Sequence, residues 1–146
     1  MVIDMFEEIL IATDGSDHSA RAAKRGIDLA KVSGGRVTVL YVVEPVVITD
    51  VSHNIVDDVV VGMRRSRMKD AEKATNSVEE LAKAAGVPAE KKIVEGYPAE
   101  VILEISKGMD LVVVGSMGRT GLTRFLLGSV AEKVVRNSEV PVMVVQ

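Results

Sequence analysis

Five short runs rich in Val and Ile, at about Phe6 to Ala12, Arg36 to Val43, Lys91 to Val94, Asp110 to Val114 and Pro141 to Val145, alternate with stretches of helical periodicity. That alternation leaves few architectures open. Strands separated by helices pair in parallel through right-handed crossovers, which gives one sheet covered on both faces. Leu111 to Val114 carries the signal most clearly: it is too short for a helix, β-branched apart from Leu111, and stopped by Gly115, as a strand buried on both faces should be. The expected fold is α/β, a doubly wound, Rossmann-like sheet of five parallel strands in the order 3-2-1-4-5, built as a single domain over residues 1–146.

The helical stretches have recognisable ends. After the first run, Ala20, Ala23, Ile27 and Ala30 are expected on one face, with Ser16 or Asp17 as the cap and Gly34-Gly35 as the stop. Pro98 and Glu100 open the third helix and Gly108 closes it. The second crossover is different: Glu44 to about Asp57 holds Pro45 and polar breaks, and is expected to be mobile, before a long charged helix that runs to Gly86 despite Gly62.

In a doubly wound sheet, ligands bind outside the carboxyl ends of the strands, where the strand order reverses. The residues with chemical potential fall there. Gly115, Gly118 and Gly121 give the chain after the fourth strand backbone freedom, and Gly128-Ser129 then opens a helix carrying Val130, Val134 and Val135. With Ser129 read as N-cap, free N–H groups and the positive end of a helix dipole meet the loop, which suits a phosphate. The competing reading is structural, since Ser129 and Glu132 form a capping-box pattern and crossover glycines often serve a turn alone. Thr13-Asp14-Gly15-Ser16 follows strand one, and Asp14 faces the glycine loop if strands one and four are neighbours. Asp14 is equally suited to hold a divalent cation beside phosphates or to bond its own backbone in a turn.

Other classes are set aside on pattern. No Lys-Ser/Thr follows the glycines, so this is not a Walker loop, and the first strand–helix turn holds one glycine rather than GxGxxG, so Glu44 lacks the setting of a dinucleotide-binding acid. A phosphoacceptor receiver would carry its aspartate after strand three, where Glu95-Gly96-Tyr97 stands. His18 and His53 lack partners at metal or triad spacing, and the chain has no cysteine. Met117 is read as a backbone contributor or hydrophobic lid. The cluster Arg64, Arg65, Arg67 and Lys69 is flanked by acids and is read as the solvated side of a helix. With a net charge of −3, nothing calls for nucleic acid. No apolar run reaches the length of a membrane span and the N-terminus lacks signal-peptide features, so a cytoplasmic location away from membranes is expected.

Together, Gly115-x-x-Gly118, nine residues, then Gly128-Ser129, with the strand running into Ala12-Thr13-Asp14-Gly15-Ser16, the Gly96-Tyr97-Pro98 turn and the Pro141-Val142 strand start, resemble the nucleotide-binding branch of the universal stress proteins over nearly the whole chain. The resemblance implies an adenine nucleotide alpha hydrolase-like fold that binds ATP, or AMP or ADP, with Mg2+ or Mn2+. Ala12, Thr13 and Asp14 would lie at the nucleoside and metal side, Asp14 being the metal candidate, and Val42 would give backbone contacts to adenine. Gly115, Met117, Gly118, Gly128, Ser129 and Val130 would hold ribose and phosphates. Ala131 lacks a hydroxyl that some relatives carry there. The family also pairs as a homodimer through the last strand, Pro141 to Val145, which is expected at a sheet edge.

The leading functional expectation is a nucleotide-dependent sensor or regulator of a stress response, with no catalytic residue assigned. One alternative is a slow ATPase, with Asp14 and a cation positioning water and Arg119 or Arg124 supplying charge at the γ-phosphate. Another is a dimeric interaction module that binds no nucleotide.

Overall fold

The computed structural model describes residues 5–47, 53–117 and 126–146. The element order is β1 (Glu8–Ala12), α1 (Asp17–Ser33), β2 (Arg36–Val43), α2 (His53–Ala84), β3 (Ala89–Glu95), α3 (Pro98–Ser106), β4 (Leu111–Gly115), α4 (Ser129–Asn137) and β5 (Val142–Val145). All strands pair in parallel, in the order β3-β2-β1-β4-β5. This is the expected α/β sheet, with β1 and β4 adjacent at its centre.

The period-2 geometry of a strand sends alternate residues to opposite layers. Ile9 and Ile11 of β1, Val37 and Val39 of β2, and Leu111 and Val113 of β4 pack with Ala22, Ala23, Ile27 and Ala30 of α1 and Val78 and Ala82 of α2. Leu10, Leu40, Val112 and Val114 go the other way, to Ala99 and Ile102 of α3 and Ala131 and Val134 of α4. Burial on both faces is why the central strands read as continuous apolar runs rather than as alternating ones.

Small residues let α1 lie close to the sheet. Its buried row is Ser19, Ala22, Ala23, Gly26, Ile27, Ala30 and Ser33, whereas Ala20, expected on that face, is exposed, being one position off the i, i+3, i+4 pattern. A Cβ on Gly26 would stand 2.8 Å from Ile11 Cδ1. Ser16 caps the helix by accepting the Ser19 N–H, and Gly34, at φ 70°, ends it in the left-handed conformation that its missing Cβ permits.

Some boundaries move. β1 begins at Glu8 rather than near Phe6, because Phe6 has a positive φ of 61°, which no strand accommodates. β3 extends past the expected Lys91–Val94 at both ends, since β2 offers partners from Val37, opposite Ala89, to Val43, opposite Glu95. α2 starts at His53, earlier than expected, and passes through Gly62 without interruption. Its inner stripe of Ala71, Val78 and Ala82, with Thr75 donating to Ala71 O, belongs to its second half. The mobility expected of the second crossover concerns residues that in part lie outside the described ones.

Candidate functional site

A cavity of about 420 Å3 opens at the carboxyl ends of β1, β2 and β4, within the ~300–1,000 Å3 range of small-molecule sites. It lies where α1 leaves β1 toward one face of the sheet while α3 and α4 cover the other, the place where the strand order reverses.

The floor comes from β1. Ala12, Thr13 and Asp14 all line the cavity. The Thr13 N–H donates to Leu40 O at 2.9 Å, which ties the strand end to β2. Its hydroxyl lies 3.0 Å from the Ser19 hydroxyl and accepts the Gly15 N–H at 3.2 Å. Asp14 Oδ1 accepts the Ser16 N–H at 2.9 Å, so the turn role of Asp14 is realised. The same carboxylate lines the cavity, and the turn bond orients it there. Among the described residues no three His, Asp or Glu side chains converge on a metal position. A cation held at Asp14 beside phosphates would share their oxygens, as Mg2+ does.

The opposite wall comes from β4 and α4. Gly115, Met117, Gly128, Ser129 and Val130 line it. Gly115 is where α1 crosses close to β4: a Cβ there would meet the carbonyl carbon of His18 at 2.9 Å and its oxygen at 3.1 Å. Met117 is buried. Gly118, Gly121, Arg119 and Arg124 lie outside the described residues.

The start of α4 differs from the expected capping. Gly128, not Ser129, is the N-cap, with φ −63° and ψ 159°, and among the described residues no side chain caps the helix. The reason lies in the main chain: Gly128 N–H donates to Ser116 O at 2.7 Å while Gly128 O accepts the Glu132 N–H at 2.9 Å, so Ser129 is already helical. The capping-box reading of Ser129 and Glu132 falls with it. A glycine cap has no side-chain oxygen to satisfy the first-turn N–H groups, and Ser129, Val130 and Ala131 all border the cavity. Unsatisfied donors at the positive end of a helix dipole form an anion subsite. The donor set thus fits phosphate better than a serine cap would have.

The third side is the end of β2. Val42 lines the cavity together with Tyr41, Val43 and Glu44, while Val43 O accepts the Gly96 N–H. Leu40, Ile102 and Val114 add apolar walls. β2 and β4 flank β1 on opposite sides, so the β2 side of the cavity lies across β1 from the side that leads into α4.

Among the lining residues that escape a reading of the sequence are Ser19 and Arg67. Ser19 is buried and bonded to Thr13, and its signal was a polar residue on the inner row of an alanine-rich helix. Arg67 belongs to the basic cluster assigned to solvent. Arg64, Arg65 and Lys69 are exposed, and Arg64 pairs with Glu95 at 2.8 Å. Arg67 instead is half-buried, lines the cavity and reaches Glu44 O. Its signal was its place four residues before Ala71 on the inner stripe of α2.

No helix among the described residues is long and apolar enough to cross a membrane. Comparison with known proteins agrees with the geometry. The chain is 37% identical to a universal stress protein of Methanocaldococcus jannaschii, over 98% of this chain and 84% of that one. Its fold matches the universal stress protein UspA from Lactobacillus plantarum with a TM-score of 0.85 at 23% identity, over 97% and 99% of the two chains. A universal stress protein solved in complex with cAMP matches with a TM-score of 0.72 at 26% identity, over 97% and 98%. One from Archaeoglobus fulgidus in complex with dAMP matches at 0.68 and 19%, over 97% and 99%. The model of the Universal stress protein family matches residues 5–146, and the chain belongs to that family.

Proposed function

We propose that this protein binds an adenine nucleotide, ATP or its relatives AMP and ADP, in the cavity at the carboxyl ends of β1, β2 and β4, and acts as a nucleotide-dependent regulator in a stress response. The observation that carries the reading is the start of α4, without a side-chain cap among the described residues, on one cavity with Thr13-Asp14 and the end of β2. Phosphates would take the N–H groups of Ser129 and Val130, the base would lie against Val42, and Mg2+ or Mn2+ would bridge the phosphates to Asp14. Gly118, in the sequence loop between Met117 and Gly128, would complete the cradle. Relatives of this fold that hold cAMP and dAMP support an adenine nucleotide over other phosphorylated ligands.

Binding suffices for this function, because a ligand gripped by β1, β2 and α4 together changes the surface those elements offer to a partner. The reading includes a homodimer through β5, an edge strand whose residues are all half-buried and which, among the described residues, pairs with β4 alone.

The test is a calorimetric titration of ATP, with magnesium, into protein stripped of copurified nucleotide. Saturation near one ATP per chain is expected. Ser129→Pro is the informative variant, since proline suits the first helical position and Gly128 already has the extended conformation a pre-proline residue needs. It removes one N–H and leaves the helix. A charge-assisted hydrogen bond contributes about 1.5–3 kcal/mol, so affinity should fall about tenfold to a hundredfold, with Ser129→Ala as the control for the hydroxyl. Absence of saturable ATP binding to the parent chain would overturn the reading and leave a plain interaction module.

A further inference from the structure

We propose that Arg67 is a base-reading residue: its guanidinium, carried on α2, donates to an acceptor nitrogen of the purine at the β2 end of the cavity. The proposal rests on the nucleotide reading above and adds to it a determinant from α2, which among the described residues supplies no other lining residue of the cavity.

The position of the side chain is set by two hydrogen bonds. Arg67 Nη1 donates to Glu44 O at 2.6 Å and to Pro45 O at 3.2 Å. These bonds pin the guanidinium over the main chain that leaves β2, beside Val42, Val43 and Glu44, all of which line the cavity with it. Among the described residues these carbonyls are its hydrogen-bond partners, and both engage Nη1. A guanidinium carries five N–H donors in a planar fork, so the Nε and Nη2 edge is left for a ligand.

Chemistry selects the base rather than the phosphates as the group met there. The N–H-rich start of α4 lies across β1 from the β2 side of the cavity, and the nucleotide's phosphates belong to it. A purine placed against the apolar end of β2 brings ring nitrogens that accept hydrogen bonds and a π face on which a guanidinium can stack. The neighbouring charges also distinguish Arg67 from the rest of its cluster. Arg64 is held by Glu95 at 2.8 Å, and Arg65 and Lys69 are exposed on the outer side of α2. Arg67 alone of these four is half-buried and borders the cavity.

A structural latch would use the same two carbonyl bonds, so the test must separate contact from support. AMP and its 1-deaza, 3-deaza and 7-deaza analogues are titrated into the parent chain, Arg67→Ala and Arg67→Lys, with ribose 5-phosphate as the probe lacking a base. Direct contact predicts that one analogue loses about fivefold or more in affinity on the parent chain and less than twofold on Arg67→Ala, a coupling between side chain and ring atom. Ribose 5-phosphate should bind both chains alike. Arg67→Lys keeps the charge without the fork and should recover only part of the discrimination; it carries the cycle if the alanine variant fails to fold. If all analogues and ribose 5-phosphate weaken by the same factor on substitution, or if nothing changes, Arg67 does not read the base and the proposal is overturned while the nucleotide site stands. If the parent chain binds no AMP and no ATP, the nucleotide reading itself fails.

Discussion

Replacing Gly115 by alanine should damage stability and ligand binding together. The backbone there needs no positive φ, so the effect is steric and its size follows from the neighbours. An added Cβ would lie 2.9 Å from the His18 carbonyl carbon, 3.1 Å from its oxygen and 3.1 Å from its Cβ, against roughly 3.5–4.0 Å for carbon atoms in favourable contact. The obstacle is main chain of the first turn of α1 and cannot rotate aside. Relief requires α1 to withdraw by about half an ångström from the end of β4, and Ser16, Ser19 and the Asp14 turn move with it. Overpacking of this kind costs about 1–3 kcal/mol. For a domain of this size each kcal/mol lowers Tm by roughly 2–4 °C, so a fall of about 2–12 °C is expected by calorimetry or circular dichroism. Gly108→Ala is the matched control, because a Cβ there meets nothing within 4 Å; it should stay within about 0.5 kcal/mol of the parent. A Gly115→Ala melting point within about 1 °C of the parent would refute the claim that close approach of α1 to β4 demands glycine.

Gly62 lies in the interior of α2 with open space where a Cβ would go, so Gly62→Ala should raise Tm by roughly 2–4 °C through about 0.8–1.0 kcal/mol of helix propensity. An unchanged urea midpoint would mean that this half of α2 opens separately from the rest. Ser16→Ala removes the oxygen that accepts the Ser19 N–H and should cost about 0.5–2 kcal/mol, read as a lower urea midpoint at constant m-value, whereas Ser16→Gly should cost only a few tenths.

Layering was legible because the governing signal is local and repeated, whereas the strand order followed from the expected fold class, since the same alternation also serves the order 2-1-3-4-5. Every crossover carries a helix, and Val112 to Val114 can be apolar throughout only if both faces are covered. The features that escaped depend on contacts between distant segments. Ser129 and Gly128 are both competent caps by composition, and the choice was made by the bond from Gly128 to Ser116 across the mouth of the site. Phe6 looked like strand, yet its positive φ sets the angle at which the chain enters β1, and Ser33 Oγ donates to its carbonyl. Arg67 resembled its exposed neighbours in charge and differed in helical phase, which becomes informative only once Ala71 and Val78 are known to face the sheet. Ala12, Thr13, Asp14, Val42, Gly115, Met117, Gly128, Ser129 and Val130 border one cavity because strand ends of a doubly wound sheet converge there.

The adjacency of β1 and β4 bears on how the molecule assembles. Glu8 N–H donates to Asp110 Oδ2 across a separation of 102 residues, whereas Glu8 and Arg36, which join β1 to β2, are 28 apart. Loop closure costs about 0.6 kcal/mol for each doubling of length, so the central pairing begins about 1 kcal/mol behind its neighbour, and non-local pairings form slowly. One wall of the cavity is thus available once the first βαβ unit has formed, and the other arrives with the last third of the chain. A ligand that spans the two walls would hold closed the strand pairing with the longest loop, and its occupancy would report that the whole sheet, rather than its first half, has folded.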